Sequence, residues 1–138
     1  MIERILVAYD GSVPSGKAFD FAVDMARRYQ AELRVLTVAQ VPEFPEDVET
    51  LAIVETSTTY HQSLIDKLRP RTEGLGIPVV LELAVGHPAR TILERAAEHR
   101  IDLIVLAHRG HGLLDRWRLG SVTHRVISYA DCPVTVVR

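Results

Sequence analysis

The sequence lacks the features that mark secreted, membrane-spanning and nucleic-acid-binding proteins. Cys132 is the only cysteine among 138 residues, so no disulfide can form within the chain, which favours a reducing compartment. No apolar run approaches the roughly 20 residues of a membrane-spanning helix, and the first residues do not resemble a signal peptide. The net charge of −2 gives no electrostatic reason to bind nucleic acid or an anionic membrane. We therefore expect a cytoplasmic protein whose partners include neither nucleic acid nor a membrane.

Three common ligand-binding signatures are also missing. The sequence contains no Gly-x4-Gly-Lys-Ser/Thr string of the P-loop type. The first apolar run is followed by Asp10-Gly-Ser12, which is not the Gly-x-Gly-x-x-Gly turn of dinucleotide-binding proteins. His108, His111 and His124 are not accompanied by a compact set of further ligands that would make a zinc site of their own. These absences disfavour P-loop proteins, dinucleotide-binding proteins and zinc enzymes.

What the chain does contain is an alternation of short apolar runs with helical repeats. Apolar runs rich in β-formers predict strands at 2–9, 33–39, 78–84, 102–107 and 133–137. Apolar residues at helical spacing predict helices at about 14–30, about 60–74, from Pro88 onward and at 122–129. Ser12 is expected to cap the first helix, with Pro14 in its first turn. The segment 41–57 holds two prolines and scattered acids, so we expect a loop that leads into the second helix.

Five strands separated by helices predict one α/β domain over residues 1–138, with an open and mostly parallel sheet. The strands are continuously apolar, as they are when helices cover both faces of a sheet. The last strand is short, apolar and begins with a proline, which suits a strand at the sheet edge. Pairing with a second copy would cover this edge, so we expect a homodimer, or a higher oligomer, through Pro133–Val137.

The stretch Ala107–Ser121, which follows the fourth strand, is the first candidate binding site. Its glycines permit tight turns or close approach of a ligand, and its charged side chains are mostly basic. It ends at an expected helix N-terminus, where free N–H groups and the helix dipole favour an anion. These features predict a phosphate cradle of Gly110, Gly112 and Gly120 with His108, Arg109, His111, Arg116 and Arg118 around them, closed by Ser121. The alternative is a surface connection that ends in a Ser N-cap.

Asp10, which follows the first strand, is the second candidate. Its carboxylate could accept hydrogen bonds from a ribose or hold a metal ion attached to phosphate. Alternatively, it is a turn residue or a helix cap. The two candidates form one site only if the first and fourth strands are neighbours, and the spacing of the residues does not show that.

Three segments together resemble the universal stress protein family. They are Val7-Ala-Tyr-Asp-Gly-Ser12, the loop in which nine residues separate Gly110 from Gly120-Ser121, and Asp131-Cys-Pro-Val-Thr-Val-Val137. The resemblance covers the whole chain. It implies a five-stranded parallel sheet in the order 3-2-1-4-5, which places strand one beside strand four. It also implies dimerisation through the last strand and, in one branch of the family, ATP binding by the glycine loop.

The resemblance carries roles to individual positions. Gly110, Gly120 and Ser121 match residues that approach the phosphates, and Asp10 matches an aspartate near ribose and phosphate, where Mg²⁺ or Mn²⁺ could accompany the nucleotide. Val38 matches a strand-two position whose backbone meets adenine, and Ala8 lies at the wall of that pocket. The candidate nucleotide-binding residues are Ala8, Asp10, Ser12, Val38, Ala107, His108, Arg109, Gly110, His111, Gly120, Ser121 and Val122.

Ala107 departs from the family pattern, because the nucleotide-binding branch has a glycine at the matching position. The added methyl group would crowd a ribose if the backbone had a positive φ angle and would be harmless otherwise.

Three functions agree with these observations. The first is a stress-response or signalling module that binds ATP, ADP or AMP and hydrolyses it slowly or not at all. The second is a family member that binds no nucleotide and acts through protein contacts. The third is a small nucleotide hydrolase or transferase, which is disfavoured because the chain is short and no residue is identified as a base for water. The intact Gly110, Gly120 and Ser121 frame favours the first.

Overall fold

A computed structural model describes residues 1–40, 48–108 and 119–138, with residues 48–50 described by their main chain only. Its strands are β1 (Arg4–Ala8), β2 (Glu32–Gln40), β3 (Val79–Gly86), β4 (Leu103–Ala107) and β5 (Val134–Val137). Its helices are α1 (Val13–Tyr29), α2 (Val48–Thr72), α3 (Pro88–Glu98) and α4 (Ser121–Tyr129). Each strand and helix that the sequence predicts is therefore present, with ends that differ by a few residues except at α2.

The five strands form one parallel sheet in the order β3-β2-β1-β4-β5, which confirms the predicted fold class and strand order. β1 lies at the centre, where Ile5 pairs with Leu33 of β2 and with Leu103 of β4. Two backbone N–H groups at the start of β1, those of Glu3 and Arg4, also donate to Oδ2 of Asp102 just before β4, at 2.8 and 2.9 Å. The sequence-distant first and fourth strands are thus adjacent.

Helices cover both faces of the sheet, as predicted from the continuously apolar strands. Ile5 and Val7 of β1 point to one face and pack with α1 and α2, for example with Phe19 and Leu68. Leu6 points to the other face and packs with α3 and α4, for example with Ile92. Burying a large aliphatic side chain of this kind stabilises the fold by roughly 1.5–3 kcal/mol. None of the helices in the described parts of the chain is both long and apolar enough to cross a membrane.

The start of α1 follows the prediction from the sequence. Ser12 is its N-cap, the Ser12 hydroxyl accepts the N–H of Ser15 at 3.2 Å, and Pro14 lies in the first turn. The helix ends at Gln30, whose left-handed conformation lets its N–H return to the carbonyls of Ala26 and Arg27.

The extent of α2 was predicted incorrectly. A loop was expected to run to about residue 57, but the helix already begins at Val48. Helix prediction from sequence depends on a single apolar stripe, and this helix lacks one at its start, because Leu51 and Ile53 are both exposed. The remaining part of that expectation, 41–47, lies outside the described residues.

Candidate functional site

The central strand of the sheet is shorter than its two neighbours at the carboxyl end. Pairing of β1 with β2 ends at Ala8 and Leu36, whereas pairing of β2 with β3 continues to Gln40. On the other side, pairing of β1 with β4 ends at Val105, although β4 continues to Ala107. The sheet therefore has a notch beyond β1. The helix that follows β1, α1, packs on one face of the sheet, and the helix that follows β4, α4, packs on the other face. Parallel sheets bind ligands where neighbouring connections diverge in this way.

A cleft of about 450 Å³ occupies this notch. The strands contribute apolar side chains to its floor, namely Ala8, Leu36, Val38, Leu106 and Ala107. The helices on the α3 and α4 side contribute Pro88, Ile92, Val122 and Thr123. The floor and this wall are therefore mostly apolar, which suits a flat heterocycle better than a sugar or a metal ion.

The main chain of Val38 adds a polar edge to the cleft. The N–H of Glu32 donates to Glu3, and the carbonyl of Leu36 accepts from Tyr9, so the even-numbered residues of β2 turn their peptide groups toward β1. Val38 is the next of these residues toward the notch, and β1 no longer runs beside it. Its N–H and C=O therefore face the notch, side by side.

Asp10 lies in the cleft and in a turn at the same time. Its Oδ1 accepts the N–H of Ser12 at 2.9 Å, and its own N–H donates to Oγ of Ser15 at 3.3 Å. The turn interpretation is therefore correct, and it coexists with a place on the cleft wall beside Ser15. Ser12 is 8% exposed, its hydroxyl serves as the helix cap, and it does not line the cleft.

Ala107 is the last residue of β4 and pairs with Val137 of β5. Its carbonyl accepts the hydroxyl of Thr123 at 2.8 Å, which fixes the end of β4 against α4. Among the described residues other than glycine, only Gln30 and Arg100 have positive φ angles. The methyl group of Ala107 thus lies on ordinary extended backbone, and the condition under which it would crowd a ribose is not met.

The main chain of His108 joins β4, β5 and α4. Its N–H donates to the carbonyl of Val137 at 2.8 Å, and its carbonyl accepts the N–H of Gly120 at 3.0 Å. The side chain is 8% exposed and does not line the cleft, and within the described ranges Nε2 has no hydrogen-bond partner. Residues 109–118, which include the predicted site residues Arg109, Gly110 and His111, lie outside the described residues.

A second cleft of about 920 Å³ adjoins the first, and the two share Gln40, Pro88 and Val122. It lies at the N-terminus of α4, where Gly120 is the N-cap and Ser121 the first helical residue, so the predicted Ser N-cap is wrong. The N-terminus of α3 lies there too. Gly120 has no side chain, and the side chain of His87 makes no cap hydrogen bond, so neither helix has a side-chain cap. The uncapped N–H groups, with His124 and Arg125 nearby, favour an anion.

Sequence reasoning missed one wall of the first cleft. Ser57, Tyr60 and His61 of α2 line it, opposite the wall that α3 and α4 form. Their spacing of three and four residues places them on one helix face, but that pattern is typical of any helix packed on a sheet. No local signal distinguished them as ligand-facing. Within the described ranges, no group of three or more His, Cys, Asp or Glu side chains could hold a metal ion.

Comparisons with known proteins agree with this geometry. The chain matches the model of the Universal stress protein family over residues 1–138. It is 36% identical to the universal stress protein YxiE of Bacillus subtilis, with 100% of both chains covered. The universal stress protein UspA from Lactobacillus plantarum has a TM-score of 0.90 at 31% identity, covering 99% of this chain and 98% of that one.

A further solved structure, of the universal stress protein from Archaeoglobus fulgidus in complex with dAMP, has a TM-score of 0.63 at 25% identity. It covers 100% of each chain. Family match, curated relatives and strand order agree, and the chain belongs to the universal stress protein family.

Proposed function

We propose that residues 1–138 act as one domain that binds an adenine nucleotide, ATP first among them, in the cleft beyond β1. The observation that carries the proposal is the side-by-side N–H and C=O of Val38, which face a notch with a mostly apolar floor. The Watson–Crick edge of adenine has an acceptor at N1 beside a donor at the exocyclic amine. This edge matches one peptide N–H and one peptide C=O in complementary order.

The rest of the nucleotide would follow the line of the two clefts. Ala8, Leu36 and Ile92 offer apolar contacts to the faces of the base, and Ala107 and Asp10 lie where the ribose would emerge. The phosphates would lie in the second cleft beside Gly120, against the uncapped N–H groups of Ser121 and Val122. His108, Arg109, Gly110 and His111 belong to the connection that leads there, and Ser12 acts through the turn that holds Asp10.

We expect little or slow hydrolysis. Asp10 is the carboxylate that the described residues bring to the cleft, and one of its oxygens already accepts the N–H of Ser12. A single carboxylate with this structural task is a poor base for water. It can supply one ligand to Mg²⁺ or Mn²⁺, so such an ion would arrive with the phosphates of the nucleotide rather than occupy a protein site.

Two findings support the choice of an adenine nucleotide. The relative from Archaeoglobus fulgidus that spans the full chain is described in complex with dAMP. Ala107, which replaces the glycine of the nucleotide-binding branch, has an extended backbone and adds no strain. In this proposal the nucleotide sets the state of a stress-response or signalling module.

The proposal includes a cytoplasmic homodimer. β5 pairs only with β4 among the described strands, so its other edge is open for a second copy through Pro133–Val137, and the side chains of β5 are half-buried. The lone and half-buried Cys132 agrees with a reducing compartment. The mass of the protein in solution, measured by analytical ultracentrifugation, is expected to be that of two chains or a multiple of two.

The nucleotide itself is tested in two steps. Purified protein is denatured, and the released small molecules are separated and identified; the expected result is an adenine nucleotide. Nucleotide-free protein is then titrated with ATP in a calorimeter, with and without Mg²⁺. No released nucleotide together with no binding below millimolar concentration would reject the proposal and favour a module that acts through protein contacts alone.

A further inference from the structure

The α2 wall of the cleft, formed by Ser57, Tyr60 and His61, is the part of the site that no motif indicates. α2 is anchored to the sheet through buried side chains further along the helix, namely Ile65 and Leu68. The three wall residues belong to earlier turns, which extend over the cleft. Their position is therefore set by tertiary packing.

The fit of α2 against the turn after β1 is tight. Gly11 has a φ angle of +82°, and a Cβ atom at this position would lie 2.8 Å from Cδ2 of Leu64 and 3.5 Å from the hydroxyl of Tyr60. The wall thus lies directly against the Asp10–Gly11 turn. A nucleotide that contacted Asp10 would therefore also lie near Tyr60 and its neighbour His61.

His61 presents one defined nitrogen. Its Nδ1 lies 2.7 Å from the carbonyl oxygen of Ser57, and a carbonyl can only accept, so Nδ1 carries the hydrogen. The ring is also held edge-on to Tyr60, with centroids 5.2 Å apart and planes at 86°. In the neutral imidazole, Nε2 is then a hydrogen-bond acceptor, and no described residue donates to it.

We propose that His61 is a specificity-determining residue of the cleft, whose Nε2 accepts a hydrogen bond from a donor group of the bound nucleotide. The inference rests on the proposed function. The donor would be either the exocyclic amine of adenine or a ribose hydroxyl, because these are the donor groups of the nucleotide that the cleft would hold. The carbonyl of Val38 is likewise an acceptor that faces the notch, so Nε2 of His61 would be a second acceptor for donors on the nucleotide.

Because Nε2 is an acceptor, His61 is expected to favour nucleotides that carry a donor opposite it over nucleotides that do not. A nucleotide that lacks the donor leaves Nε2 unsatisfied, and inosine would place its own acceptor, O6, where adenine has an amine. A neutral hydrogen bond of this kind corresponds to about a three- to tenfold difference in affinity. His61 therefore favours ATP over the analogue that lacks the relevant group.

The experiment compares four nucleotides on the wild type, two variants of His61 and one control variant. ATP, inosine triphosphate, 2′-deoxy-ATP and 3′-deoxy-ATP are titrated against the wild type, His61→Ala and His61→Gln. His61→Ala is expected to lower the affinity for ATP about three- to tenfold. The affinity for the one analogue that lacks the donor is expected to be the same in His61→Ala as in the wild type. His61→Gln, which offers an amide oxygen as acceptor, is expected to recover part of the loss. The matched control is His99→Ala, at the far end of α3 and away from both clefts.

A spectroscopic measurement separates ligand contact from a structural role. With ¹⁵N-labelled histidine, His61 is expected to show a protonated Nδ1 and an unprotonated Nε2 in the free protein. The Nε2 resonance is expected to shift with ATP and to stay in place with the analogue that lacks the donor.

The outcomes distinguish this inference from the function on which it rests. ATP binding to wild type with an unmoved Nε2 resonance, or an equal loss for all four nucleotides in His61→Ala, would overturn the role of His61 and leave the function intact. Failure of the wild type to bind any of the four nucleotides would overturn both.

Discussion

At the scale of single residues, several candidates prove to have a structural task in addition to their place near the cleft. Asp10 holds the turn before α1 through the N–H of Ser12, and Ser12 caps that helix. Ala107 fixes α4 through the hydroxyl of Thr123. Motif residues of this kind are hard to divide into structural and functional ones, because the same hydrogen bonds that build the turn also fix the position of the site.

Gly120 is the residue whose substitution tests the phosphate end of the site. Its φ of −61° and ψ of 153° are accessible to any residue, so Gly120→Val should leave the fold intact. Because Gly120 lines the second cleft, we expect a branched side chain there to crowd the phosphates and ATP binding to be lost. Calorimetric titration measures the binding, and circular dichroism checks the fold.

Gly120→Ala adds a smaller side chain at the same position and should weaken ATP binding less than Gly120→Val. Unchanged ATP affinity in Gly120→Val would mean that the phosphates do not approach this helix N-terminus.

At the scale of secondary-structure elements, the packing of α2 against the first turn links fold stability to the shape of the cleft. Gly11→Ala adds a methyl group at a φ of +82° and 2.8 Å from Cδ2 of Leu64, so the backbone is strained and the Leu64 side chain must shift. We expect the free energy of unfolding to fall by about 1–3 kcal/mol. ATP affinity should fall as well, because the strained turn carries Asp10 and the shifted Leu64 side chain lies close to Tyr60 of the α2 wall. Urea denaturation and calorimetry measure the two effects.

The chain offers a matched control in Gly16, which lies inside α1 with no atom within 4 Å of an added Cβ. Gly16→Ala is expected to raise the free energy of unfolding by about 0.5–1 kcal/mol, because alanine loses less backbone entropy in a helix. A destabilisation in Gly16→Ala equal to that in Gly11→Ala would contradict the role assigned to the α2 contact.

At the scale of the whole molecule, the sheet is joined between its most sequence-distant neighbours by Asp102. The backbone N–H groups of Glu3 and Arg4 donate to its carboxylate and hold the pKa of Asp102 below its usual value, against the opposing effect of burial. The unfolded chain binds this proton more readily than the folded one. The stabilisation is therefore fully present above the unfolded pKa of about 4 and is lost as the pH falls through the lower folded value.

The pH dependence of the free energy of unfolding tests the role of Asp102. Between pH of about 4 and 2, the free energy of unfolding of the wild type should fall more steeply than that of Asp102→Asn, which cannot titrate. Urea denaturation at a series of pH values measures both slopes. Asp131→Asn, which removes an exposed carboxylate, is the control and should follow the wild type. Parallel curves for the wild type and Asp102→Asn would show that this carboxylate does not link folding to pH.

The sequence predicted the fold well because the evidence for it is local. Continuous apolar strands, helical repeats and the Ser12 cap each act within a few residues, and the resemblance to the family supplied the strand order. The start of α2 was missed because its first turns lack a buried stripe. The wall formed by Tyr60 and His61 was missed because its position depends on packing against Gly11, which is about 50 residues away along the chain.

The early end of β1 has a consequence for how ligand and fold depend on each other. β1 ends before it can pair with Val38 of β2 or with Ala107 of β4 at the centre of the sheet. A molecule that forms hydrogen bonds with the peptide groups of Val38 takes the place of the missing part of β1, so ligand binding also completes the hydrogen bonding of the sheet. A ligand at one hundred times its Kd would then stabilise the native state by about 2.7 kcal/mol, and the protein would melt at a temperature that follows the nucleotide supply.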